Sequence, residues 1–361
     1  MTNNISRREL MTTGAKVAAG AGLIAQGLGQ TAQAGLLGHK KIDVHHHAVP
    51  APYIEALASI GITESGGVAF PEWTPEDSLK VMNLTGIDTA VLSLSSPGTY
   101  FGDATFASGL AHTVNEFLHD TVQAHPFRFG FFATLPMPLV DESCAVLRHA
   151  FDSLDADGVC LLANTNGVFL GDPALDPIME ELNARGATVL IHPNSHPLQG
   201  QLGLEAPVFA VEFVLDTTRA VTNMLWNGTF EKYPDIKWIL SHAGGTVPYI
   251  AWRVSLLSFQ YPEFREKAPR GVPHYLRRLY FDTALSPSAS TLFPLIEQFG
   301  ADQVVLGTDY PFAPEALVPV EMATLAANVA NQGFPDFTPS VLKKIHGNGY
   351  RLFPRLDALH N

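Results

Sequence analysis

The chain has 361 residues, 46% hydrophobic and 16% charged, which is enough apolar material for one large α/β core. Acidic side chains outnumber basic ones 35 to 22, a formal net charge of −13, so the basic footprint that nucleic acid requires is missing and no nucleic-acid partner is expected. The two cysteines, Cys144 and Cys160, form no Cys-x-x-Cys pair and supply neither a zinc ribbon nor a disulfide framework. Cys160 lies in the apolar run Gly158-Val-Cys-Leu-Leu162 and reads as a small buried hydrophobe.

Residues 1–34 read as an address. Ser6-Arg7-Arg8-Glu9-Leu10 precedes a weakly apolar stretch over 14–28, and Ala32-Gln33-Ala34 is an A-x-A-like cleavage site. The pattern resembles a cleaved twin-arginine signal, which implies the twin-arginine export machinery as a partner of the precursor and a periplasmic or secreted product. Lys16, Gln26 and several glycines interrupt the stretch, so no stable membrane span is expected. Removing the leader leaves a charge of about −15 on residues 35–361, which read as a single barrel domain.

From residue 41 onward, short β-branched runs alternate with longer amphipathic segments. Strands are expected at 41–47, 88–95, 128–135, 158–163, 188–192, 236–242, 279–284 and 304–309. Several are almost continuously apolar, as strands covered on both faces should be. Between them, Asp176-Pro177 predicts a helix start and Gly186 its stop, while Ser288 or Ser290 could cap a helix that Gly300 ends. Eight strands alternating with helices predict a (β/α)₈ TIM barrel. The rival, a doubly wound open sheet, lacks its Gly-x-Gly-x-x-Gly after the first strand.

Polar residues fall where such a barrel keeps its chemistry. The first strand ends in His45-His46-His47, the fifth in His192-Pro193, the sixth in His242 and the eighth in Asp309. Strand C-termini converge on the barrel mouth. Side chains alternate along a strand, so His45 and His47 share a face and can hold one ion together with His192 and Asp309. Three nitrogens and one oxygen suit zinc, with manganese or another divalent ion as the alternative. His242 remains for acid/base work beside the ion, its other reading being a fifth ligand. The fourth strand, 158–163, offers no Lys, Glu or Asp to bridge two ions, so one metal is expected. Gly244-Gly245 is read as room for substrate against the backbone. Asn164, Arg253 and Phe312 are candidate substrate contacts, with Arg253 a carboxylate clamp. Residues 62–76 and 194–215 are candidate lids.

Ile42-Asp-Val-His-His-His-Ala-Val-Pro50 resembles the first-strand motif of the amidohydrolase-2 family, which includes the aminocarboxymuconate-semialdehyde, γ-resorcylate and 6-methylsalicylate decarboxylases. Leu190-Ile-His-Pro193, Leu240-Ser-His-Ala-Gly-Gly245, Leu306-Gly-Thr-Asp-Tyr-Pro-Phe312, Ile345-His-Gly-Asn348 and Arg351-Leu-Phe-Pro354 are similar to further motifs of that group. The resemblance covers about residues 40–355. It implies a barrel of the metal-dependent hydrolase type, metal binding by His45, His47, His192 and Asp309, catalysis by His242 and Asp309, and a homodimer. The implied reaction is non-oxidative loss of carbon dioxide from a small aromatic or unsaturated carboxylate. Hydrolysis of a lactone, amide or related bond needs the same residues and is the alternative; a metal-holding protein without turnover is the third reading.

Overall fold

The computed structural model describes residues 39–202 and 205–360. Eight parallel strands form one sheet, β1 (Ile42–His47), β2 (Thr89–Ser93), β3 (Phe129–Thr134), β4 (Gly158–Leu162), β5 (Thr188–His192), β6 (Lys237–Leu240), β7 (Tyr280–Asp282) and β8 (Val304–Val305), in that spatial order. The barrel closes where the residues after β8 meet β1. Val44 N–H donates to Leu306 O at 2.9 Å, and Asp309 N–H donates to His45 O at 2.8 Å. All eight expected strands are present; β5 keeps its expected bounds and the other seven are trimmed by one to four residues. The β8 region shortens most: its pairing with β7 ends at Val305, and 306–309 keeps backbone bonds to β1, which bring Asp309 across the mouth. The leader expectation at 1–34 lies outside the described residues.

Two apolar layers hold the barrel together. Inside it, Val91, Phe132, Cys160, Leu190, Ile239 and Val305 pack against one another. Phe353 and Leu356 enter from below, so the Arg351-Leu-Phe-Pro354 segment plugs the end opposite the site. Cys144 and Cys160 are free and buried, and burial pushes the Cys160 thiol up to about 12. The thicker layer lies between the strands and the surrounding helices.

Local signals account for the helices. Helix α1 (Pro75–Thr85) starts with a capping box in which Thr74 and Asp77 bond each other's backbone N–H. Gly86 ends it at φ 68°. Helix α2 (Ala104–Ala124) is capped by the Asp103 carboxylate. Helix α3 (Val140–Asp152) follows β3, and α4 (Asp176–Ala184) follows β4. The α4 helix begins one residue earlier than Asp176 would as a cap, since a short 3₁₀ turn over Pro173–Leu175 feeds directly into it. Helix α5 (Val208–Asn227) follows β5, α6 (Val247–Ser255) follows β6, and α7 (Ala289–Phe299) follows β7. Ser288 occupies the cap position of α7, but its hydroxyl pairs with those of Ser290 and Thr291 rather than with backbone. No helix among the described residues is long and apolar enough to cross a membrane.

Candidate metal centre

The mouth of the barrel is built around an irregularity in β1. The register against β2 shifts between Asp43 and His46, which places these two side chains together although a regular strand would separate them. Asp43 accepts from His46 Nδ1 at 2.9 Å, from His45 N–H at 3.1 Å and from Thr308 Oγ1 at 2.6 Å. His46 continues the chain to Ser78 Oγ at 2.8 Å, which also takes the Trp73 indole N–H at 2.8 Å. His46 is therefore a strut between the first strand and α1, while its two neighbours face the mouth.

His45, His47, His192 and Asp309 each offer a ligand atom, and the four atoms lie within 4.8 Å of one another. His45 Nε2 is 3.0 Å from His47 Nε2 and 3.1 Å from Asp309 Oδ1, which is itself 2.9 Å from His47 Nε2. The opposite nitrogen of every imidazole is engaged elsewhere. His45 Nδ1 donates to Asp282 Oδ2 at 2.6 Å, since a carboxylate only accepts. His47 Nδ1 lies 2.9 Å from Ser93 Oγ, and His192 Nδ1 donates to Pro193 O at 2.8 Å. This pattern fixes the tautomers and turns three Nε2 lone pairs toward one point.

The electrostatics agree with that geometry. Burial and the neighbouring imidazoles hold His192 well below its ordinary value, and burial likewise lowers His47, so both remain neutral donors. Burial opposes ionisation of Asp309, but the surrounding histidines outweigh it and hold the carboxyl well below the usual range. Burial would also depress His45, yet the Asp282 and Asp309 carboxylates raise it to about 10. Surroundings that hold a proton on His45 this firmly favour any cation at Nε2. Two neutral imidazoles, a third whose surroundings favour a cation, and an anionic oxygen, converging and buried, fit a divalent metal.

His242 stands beside this group. Its Nε2 is 3.7 Å from Asp309 Oδ2, beyond hydrogen-bond reach, and neither ring nitrogen has a partner among the described residues. The residue adopts φ 54°, and Asp309 φ 61°, both in the left-handed region that non-glycine residues seldom occupy. His242 N–H donates to Asp282 Oδ1 at 2.8 Å, which holds the strained turn.

A cavity of about 360 Å³ opens over His192, His242 and Asp309. Its apolar wall includes Val68, Phe209, Phe213, Leu285, Phe312 and Leu317, and among the described residues no lysine or arginine lines it. Both candidate lids contribute, 62–76 through Ser65 and Val68, and 194–215 through Phe209 and Phe213. The 62–76 segment touches the first turn of α5, where Phe209 N–H donates to Gly66 O at 3.3 Å, so the 194–215 candidate is helical from Val208 onward.

Of the three candidate substrate contacts, Phe312 lies in the wall. Asn164 does not: it is buried, donates to Asp216 Oδ1 at 2.8 Å and exchanges bonds with Asn194, bracing the roots of two loops. Arg253 does not either, being exposed on α6. The Gly244-Gly245 expectation is corrected as well. A Cβ on Gly245 would fall 2.2 Å from Val214 O, and one on Gly244 would fall 2.8 Å from the Phe281 ring, so protein rather than substrate occupies that room. Asp282 is the functional residue that motif reading missed; its signal was a carboxylate ending the run Leu279-Tyr-Phe-Asp282.

Barrel, ligand set and adjoining histidine together define a metal-dependent enzyme of the amidohydrolase type. The family model described as amidohydrolase matches residues 42–355, and the chain belongs to that family. It is 33% identical over 332 residues to decarboxylase yanB of Aspergillus niger, covering 88% of each chain. It is 36% identical over 283 residues to a 6-methylsalicylic acid decarboxylase of Penicillium expansum, covering 76% of this chain and 86% of that one. Among solved structures, an amidohydrolase II at 31% identity superposes with a TM-score of 0.78, covering 87% of this chain and 99% of the other.

Proposed function

We propose that the protein is a non-oxidative decarboxylase of small aromatic monocarboxylic acids, a carboxy-lyase of the 2-hydroxybenzoate type. The observation that carries this reading is the wall of the cavity: one end holds the cation-seeking His45/His47/His192/Asp309 cluster, and the rest is mainly apolar with four uncharged serines, Ser65, Ser95, Ser96 and Ser286, and no lysine or arginine among the described residues. A carboxylate and an adjacent ring oxygen find their partners at that end. A second carboxylate across the ring would be desolvated without a counter-charge, at a cost of several kcal/mol. Several relatives more than 30% identical are named decarboxylases, two of them for 6-methylsalicylic acid, whose methyl group suits such a wall.

A divalent ion held by these four residues would neutralise and orient the carboxylate and the neighbouring oxygen. Zinc is the ion best suited to three nitrogens and one oxygen, with manganese the alternative. The protein's own part is the proton. Asp309 is anionic, so it has no proton of its own to give; His242, which lines the cavity and whose ring nitrogens have no partner among the described residues, carries one to the ring carbon bearing the carboxylate. The carbon–carbon bond then breaks, its electrons restore the aromatic ring, carbon dioxide leaves, and His242 is reprotonated from solvent. Phe213 and Phe312 exclude water while this happens.

The test is to incubate the metal-loaded enzyme with 6-methylsalicylate in D₂O. Release of carbon dioxide with one deuterium at the vacated ring carbon is expected. Oxygen uptake from labelled water into the product of a lactone or amide, without carbon dioxide release, would replace this reading with hydrolysis.

Two further readings attach to it. The first 34 residues direct export through the twin-arginine pathway to a periplasmic or secreted location; retention of the Arg7→Lys/Arg8→Lys variant in the cytoplasm is the expected outcome. The protein also pairs with a second copy of itself. Tyr249 and Trp252 on α6 and Phe259 just beyond it are 90%, 77% and 81% exposed, an apolar stripe at helical spacing that water alone does not favour. A native protein that is monomeric by light scattering would refute the pairing, and a Trp252→Glu/Phe259→Glu variant that remains dimeric would refute this stripe as its interface.

A further inference from the structure

A second cluster of metal-ligating side chains lies away from the mouth, on the outer wall of the barrel. His112 and Glu116 are one turn apart on α2 and so share a face, and His149 meets them from α3. One ligand atom from each lies within 4.8 Å of the others. The two imidazole rings are 5.2 Å apart, centroid to centroid, at 58°, so they converge without stacking. None of the three side chains makes a hydrogen bond or ion pair within the described residues. We propose that His112, Glu116 and His149 form a second divalent-cation site, suited to zinc, that clasps α2 to α3.

Two contacts fix the helices in the register this site requires. Asn115, between the two α2 donors, gives Nδ2–H to Thr134 O at 3.0 Å and takes Thr134 N–H at 2.8 Å, tying α2 to the end of β3 just before α3. One turn on, His119 Nδ1 donates to Leu154 O at 2.8 Å, tying α2 to the chain just after α3. The donors are therefore carried on elements already locked together, and little ordering is left for the ion to impose. Two imidazoles and a carboxylate form a set that zinc accepts, and partial exposure leaves the fourth position to water. Arg148, the cation next in sequence to His149, is held by the Glu181 carboxylate. Asp120, four residues beyond Glu116 on α2, adds negative charge.

The test counts ions. Full-length protein is dialysed against excess zinc, freed of unbound metal, and analysed for zinc per chain beside the His112→Ala/His149→Ala variant. The native protein is expected to retain one zinc more than the variant, and zinc is expected to raise its unfolding midpoint further. Because the readout is a difference, it stands even where the mouth takes no zinc. The His45→Ala/His47→Ala variant should keep the outer ion. Equal zinc in native and variant, with matching unfolding midpoints in zinc-free buffer, would overturn the site. Should the double variant fold poorly, Glu116→Gln, at an exposed position, replaces it: unchanged zinc retention in that variant also overturns the proposal.

Discussion

The Asp282 carboxylate serves both halves of the site at once. Its Oδ2 accepts the His45 Nδ1 proton at 2.6 Å, and its Oδ1 accepts the His242 backbone N–H at 2.8 Å. One buried side chain on β7 thus sets the tautomer of a ligand and the position of the residue proposed to carry the proton. Asp282→Asn keeps the shape, but the amide adds a donor and removes the negative charge that makes His45 basic. Metal affinity should fall about 10–100-fold, the usual loss when such a partner is removed. Competition with a calibrated chelator measures it, and unchanged affinity would leave Asp282 a structural residue only.

His242 and Asp309 should separate under mutation. Asp309→Ala removes an anionic donor from among three histidines and should lower bound metal as well as turnover. His242→Ala leaves all four donors in place. It should retain its metal while kcat drops roughly 10²–10⁴-fold, the range for a lost general acid. Metal analysis and turnover on the same samples distinguish the two; loss of metal from the His242 variant would make that residue a ligand.

Much of this site was legible in the sequence because barrel topology converts strand ends into neighbours. His45, His47, His192, His242 and Asp309 each follow an apolar run, and that run is what fixes their depth. Asp282 obeys the same rule, but a lone Asp before Thr283 also reads as an ordinary strand terminus. Arg253 misled for the opposite reason. Its chemistry fits a carboxylate, but it falls on an exposed part of α6, and helical phase over so short an element is poorly defined by sequence. The β1 irregularity was not legible, because strict alternation assigns Asp43 and His46 to opposite faces. The roles of Gly244 and Gly245 depend on the β7 ring and the α5 backbone that pack against them, which no local pattern encodes.

At the opposite end of the barrel, His346 should make stability pH-dependent. Burial, with His39 and Lys41 nearby, lowers its value to about 3, against about 6.5 in the unfolded chain. Between those values the unfolded chain binds the extra proton, so this residue penalises folding increasingly as pH falls below 6.5, and not above it. The penalty should grow by about 2 kcal/mol from pH 7 to pH 5. His346→Gln should therefore lose less stability than the native protein over that interval in paired denaturant titrations. Parallel losses would show that His346 takes up its proton without unfolding.

The contact between the 62–76 segment and α5 gives the last prediction. Gly66 sits at φ 63°, and a Cβ there would lie 2.7 Å from Phe213 Cζ, the far end of a side chain in the cavity wall. The Phe213 ring in turn meets His192 edge-on, with centroids 6.2 Å apart. Gly66→Ala pays about 1–2 kcal/mol for the left-handed backbone and must also displace Phe213. The ring can move because its far end is free to swing, but it then either intrudes on substrate or opens the wall to water. The displaced ring, not the backbone strain, which is common to free and substrate-bound enzyme, should lower kcat/KM roughly tenfold, with metal content unchanged. Gly66→Ala combined with Phe213→Leu relieves the clash and should recover part of that loss. A double variant no better than the single one would place the effect in the backbone of the 62–76 loop rather than in the ring.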